Sequence, residues 1–60
     1  MAMIRFDEAH KMQVEESVDE VRQKIISAGA AYTPLIQVSM AGYEGFVVIN
    51  AHQIRAVTPN

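Results

Sequence analysis

The sequence has no cysteine and no tryptophan. Without cysteine, no disulfide can brace the chain and no thiolate can bind a metal or act as a nucleophile. That fits a reducing compartment. No apolar run exceeds four residues, whereas a membrane-spanning helix needs about twenty. Arg5, Asp7 and Glu8 come too early for a targeting signal. The expectation is therefore a cytoplasmic protein with no membrane partner. A basic surplus is missing too: five Lys or Arg stand against seven Asp or Glu, for a net charge of −2. Arg5, Lys11, Arg22, Lys24 and Arg55 are scattered among acids, which argues against a surface that tracks phosphates. Tyr32, Tyr43, Phe6 and Phe46 form no base-stacking signature.

What is present is apolar and prone to form strands. Half of the 60 residues are hydrophobic, with seven valines and six isoleucines. This is too apolar for a disordered tail and favours β structure. The length allows one small domain, residues 1–60. Such a domain buries only about 60 % of its unfolded surface and is often completed by a metal, a disulfide or a partner chain.

In residues 1–7, Ala2, Ile4 and Phe6 alternate with Met3, Arg5 and Asp7. Period two reads as a strand with one buried face. Met12 and Val14 alternate with Lys11 and Gln13, so strands at 3–7 and 10–14 make a hairpin. Ser17 and Glu20 then form S-x-x-E, a capping box in which hydroxyl and carboxylate each accept a backbone N–H. Asp19 and Glu20 sit at the positive end of the helix dipole. Val18, Val21 and Ile25 at i, i+3 and i+7 make one apolar stripe. Glu20 and Lys24 are an i,i+4 pair. Gly29 can take the left-handed conformation that ends a helix. The helix spans about 18–28, and alone in water it would be marginal.

Pro34 blocks helix continuation and makes Thr33 extended. Residues 35–40 alternate again, and two glycines in 41–45 mark a hairpin loop. Phe46, Val47, Val48 and Ile49 lack alternation, as in a strand covered on both faces. A bend at 50–53 leads to a short last strand at 54–57. The fold class is α+β, in the order β-β-α-β-β-(β). Two hairpins make four or five antiparallel strands in a small curved sheet or an open barrel, with one short helix.

An open sheet has two unpaired edges. Strands three and four carry few charges and no internal proline to guard them. One short helix cannot also cover Phe46, Val47, Val48 and Ile49. Another copy of the chain can, so a homodimer or higher oligomer is expected. Tyr43 in the glycine loop is a candidate contact residue, as are Arg22 and Lys24 on the polar helix face.

Candidates for chemistry are thin. Asp7, Glu8 and His10 in a turn fall short of the three or four convergent ligands that a metal needs. Glu15, Glu16, Asp19 and Glu20 are an acidic cluster, but capping explains Glu20 and the dipole explains Asp19. Gly42-x-x-Gly45 joins two strands and opens no helix, unlike a phosphate loop. No catalytic residue, metal or cofactor is expected.

Two segments resemble a known family. FVVINAHQIRAVTP (46–59) is similar to the strand-bend-strand of small flagellar and swarming-motility proteins of the FlbD type. MQVEESVDEVRQKI (12–25) is similar to their closing capped helix. The two halves stand in the opposite order here. The resemblance implies a sheet-plus-helix fold and carries no catalytic residues.

The leading expectation is a non-enzymatic, self-associating module that also binds another protein. The alternative is a small-barrel nucleic-acid-binding regulator, whose sign would be Arg5, Lys11 and Arg55 converging after folding. A third possibility is a site at an oligomer interface, which would need His10 or His52 in a polar pocket with a carboxylate.

Overall fold

Alternation sets the two faces of every strand. The computed structural model describes residues 1–59. Its elements run β1 (Ala2–Arg5), β2 (Lys11–Val14), α1 (Val18–Ala30), β3 (Leu35–Val38), β4 (Val47–Asn50), a 3-10 turn (Ala51–Gln53) and β5 (Ala56–Thr58). This is an α+β fold of two antiparallel sheets, ordered β2-β1-β5 and β3-β4.

In the first hairpin Ala2 lies opposite Val14 and Ile4 opposite Met12. Ala2, Ile4 and Val14 are fully buried. The strands are shorter than the expected 3–7 and 10–14 because Asp7 builds the turn. Its Oδ1 accepts the N–H groups of Ala9 and His10 at 2.8 and 2.7 Å, and the Phe6 N–H donates to the His10 carbonyl. β5 pairs with the other edge of β1, Met3 opposite Thr58. It begins at Ala56, later than the expected 54, because Asn50 caps the 3-10 turn through the His52 N–H and Ile54 ends it.

The capping box of α1 is complete. The Ser17 hydroxyl accepts the Glu20 N–H at 3.2 Å, and the Glu20 carboxylate accepts the Ser17 N–H at 3.1 Å. The helix runs past 28 to Ala30, and Gly29 is helical. The left-handed residue is Tyr32, at φ 58. Its N–H donates to the Gly29 carbonyl, and the Thr33 N–H donates to the Ala28 carbonyl, the Schellman pattern. The stripe of Val18, Val21 and Ile25 continues to Ala28, with Val21 and Ala28 buried. α1 packs on β3, β1 and β5. Each large side chain of that stripe contributes roughly 1.5–3 kcal/mol where fully buried.

In the second hairpin Ile36 lies opposite Ile49 and Val38 opposite Val47. Ile36 and Val38 are buried. Met40 does not continue β3 along β4. It forms a single bridge to Val14 instead, flanked by bonds from the Glu15 N–H to the Ser39 carbonyl and from the Ala41 N–H to the Gln13 carbonyl. A second tie lies beside it: both Glu16 carboxylate oxygens accept the Ser39 N–H, at 3.0 and 2.9 Å. β2 and the end of β3 are thus neighbours, but the five strands do not close into a barrel. The core between them holds Ala2, Ile4, Val14, Val21, Ala28, Ile36 and Val38, with no buried polar residue among those described.

β4 departs from expectation. It is not covered on both faces. Val47 and Ile49 turn inward and are half-buried, while Val48 and the preceding Phe46 are exposed. The core takes one face and β3 one edge, while Phe46 and Val48 on the other face stay more than half exposed.

Candidate self-association surface

β4 is an edge strand: β3 pairs with one side, and its other side is unpaired among the described residues. Which main-chain groups face outward follows from one hydrogen bond. The Ala51 N–H donates to the Pro34 carbonyl, one step beyond the Leu35–Asn50 pair in the same register. Hydrogen-bonded and non-hydrogen-bonded pairs alternate in an antiparallel ladder. Ile36–Ile49 and Val38–Val47 are therefore the hydrogen-bonded pairs. Gln37–Val48 and Leu35–Asn50 are not, so Val48 and Asn50 present N–H and C=O on the free edge.

Four large apolar side chains around this edge are exposed. Phe46 is 56 % exposed, Val48 54 %, Leu35 55 % and Tyr43 55 %. Tyr43 sits in the turn set by the positive φ of Gly42 and Gly45. From Gly45 to Ala51 the chain carries no charged residue. Natural edges are usually blunted by charge, proline or a bulge, and β4 has none of these. Leu35 joins the surface although the sequence reading passed over it. The burial of Ile36 and Val38 would have marked it as outward-facing.

The polar candidates lie elsewhere. Arg22 faces Asp19 at 3.7 Å, with both side chains exposed, a pair worth little. Lys24 does not pair with Glu20 as expected; its Nζ lies 4.0 Å from Glu16. Lys24 lines an open groove of about 380 Å³ between α1 and β3, with Gln23, Ser27, Ala31, Leu35 and Gln37. That groove follows the edge of β3 opposite β4.

Two carboxyls are held below their ordinary values. For Asp7 the main cause is the hydrogen bond to the His10 ring, then the backbone N–H groups of the turn. For Glu20 it is the backbone N–H of Ser17, then its side chain. His10 Nδ1 lies 2.9 Å from both Asp7 oxygens in an exposed turn. His52 lines a cavity of about 260 Å³ with Tyr32, Thr33 and Pro34, and no carboxylate is part of it. Among the described residues no three of His, Asp and Glu converge as a metal site. No helix among them is long and apolar enough to cross a membrane.

Comparison with profiles of known protein families, with characterised proteins and with solved structures finds no match to this chain. The β4 surface offers exposed apolar side chains beside an uncharged strand edge. A second cluster lies at the far end of the other sheet. Arg5 is the cross-strand neighbour of Lys11, and Arg5 and Arg55 line one cavity of about 400 Å³ with Asp7, Glu8 and Ala56.

Proposed function

We propose that this chain is a non-enzymatic, self-associating module of protein–protein interaction, acting in the cytoplasm through the β4 edge and its exposed apolar face. The carrying observation is that Phe46 and Val48 stay exposed beside an unpaired, uncharged strand edge. An uncovered edge with apolar flanks is a template for another strand. The resemblance to FlbD-type proteins is compatible with this reading and adds no partner to it. The test is molar mass by sedimentation equilibrium from micromolar to millimolar concentration. The expected result is a concentration-dependent rise toward dimer that Phe46→Lys abolishes. A constant monomer mass throughout that range overturns the proposal.

A second reading is favoured by one observation, the approach of Arg5, Lys11 and Arg55, none of which has an ion-pair partner among the described residues. It would make this end of the first sheet a small nucleic-acid contact. Asp7 and Glu8 in the same cavity offset the positive charge, so it ranks second. Binding of single-stranded RNA or DNA that weakens steeply with salt and is lost in Arg5→Ala would promote it. Absence of binding at low salt would remove it.

A further inference from the structure

We infer that β4 pairs antiparallel with β4 of a second copy about a two-fold axis at Val48, an inference that rests on the self-association proposed above. The outward main-chain groups are those of Val48 and Asn50, with Phe46 next in the same alternation. This set is symmetric about Val48. Antiparallel pairing about that residue makes Val48 and its counterpart a hydrogen-bonded pair. It also sets Phe46 of one copy opposite Asn50 of the other, again as a hydrogen-bonded pair. Every outward N–H and C=O of the strand then finds a partner.

The side chains agree with this axis. Val48 meets Val48 of the second copy directly, and Phe46 reaches it diagonally, on the exposed face. Val47 lies opposite Ile49 of the second copy on the inner face, extending the half-buried layer of both chains. Charge permits this pairing: the strand itself is uncharged, so the axis brings no like charges together. The other edge of the same sheet, that of β3, faces the groove under α1 and is already stopped by the Glu16 carboxylate on the Ser39 N–H.

The paired strand is short. It covers much less than the roughly 800 Å² per partner of a standard interface. The dimer is accordingly weak, with a Kd on the order of 10–100 μM, and suits a protein held at high local concentration.

Proline scanning and cysteine cross-linking test the register together. Val48→Pro removes an N–H that β3 does not use, so the hairpin keeps its ladder. Gln37→Pro does the same on the opposite edge of the sheet and serves as the control. The expected result is at least a tenfold weaker dimer for Val48→Pro and an unchanged one for Gln37→Pro, with both folds checked by circular dichroism. Because the chain has no cysteine, Val48→Cys places one thiol on the axis, where Cα atoms of a hydrogen-bonded pair lie about 5.5 Å apart and within disulfide reach. It should cross-link faster than Val47→Cys or Ile49→Cys, whatever Val48→Pro does to folding. A dimer that Val48→Pro leaves intact, with cross-linking no faster at 48 than at its neighbours, overturns the β4 axis and leaves self-association standing. A monomeric parent chain overturns both.

Discussion

Tyr32 holds a left-handed backbone, φ 58, with 96 % of its surface exposed. For a residue with a Cβ that conformation costs roughly 1–2 kcal/mol. Nothing on the side chain offsets it, since the ring packs on almost nothing. Three positions earlier Gly29 lies inside the helix, where glycine costs roughly 0.5–1 kcal/mol relative to alanine and where an added Cβ would meet open space. The two residue types are thus each in the position that suits the other. Tyr32→Gly and Gly29→Ala are each expected to stabilise the protein by about 1 kcal/mol, raising Tm by about 5 °C in a domain this small. Differential scanning calorimetry reads this directly. A drop in Tm for Tyr32→Gly would mean that the ring serves the folded state in a contact with another molecule.

At the scale of elements, the main polar ties between the two hairpins, outside their shared core, are the Val14–Met40 bridge and the Glu16–Ser39 bond. The Glu16 side chain is only 12 % exposed, and its bond to the Ser39 N–H is charge-assisted. Glu16→Ala leaves that N–H without a partner and is expected to cost about 1–3 kcal/mol. In hydrogen exchange the Ser39 amide should lose protection before those of the first hairpin. Retained protection at Ser39 would mean that the bridge alone joins the sheets. The sequence made this helix legible, because S-x-x-E and the Val18, Val21, Ile25 stripe are local signals. It made the strands legible through alternation. Glu16 was hidden among neighbouring acids because its partner is a backbone group 23 residues away, which no side-chain pattern encodes. Gly29 misled for a related reason: a helix ends where tertiary packing stops it, and here Pro34 and the turn at Tyr32 stop it later. The apolar strip was half legible. Phe46, Val47, Val48 and Ile49 read as one run, and only the register with Ile36 and Val38 divides them into inward and outward residues.

Across the whole molecule, the radius of gyration of 10.6 Å is close to the ~10 Å expected of a compact domain of this length. Its accessible surface of 4164 Å² slightly exceeds the ~3,900 Å² expected of a monomer of this mass. The excess fits a chain that leaves Phe46, Val48, Leu35 and Tyr43 uncovered. With so small a core, the stability of this protein is sensitive to its caps. Asp7 and Glu20 have folded pKa values below their unfolded ones. Their contribution is therefore present above the ordinary carboxylate range, about pH 4, and is lost as pH falls through the folded values. Thermal melts should be level from pH 7 to 5 and fall below pH 4, with a shallower acid fall in a chain carrying Asp7→Asn and Ser17→Ala. An identical acid limb in that variant would show that other carboxylates dominate.

β5 returns to lie beside β1, with Thr58 opposite Met3, so the first and last strands are sheet neighbours. Joining these two strands by a short linker and reopening the chain at the glycine turn near Tyr43 would give a circular permutant with the same core, in which the strand-bend-strand unit precedes the capped helix.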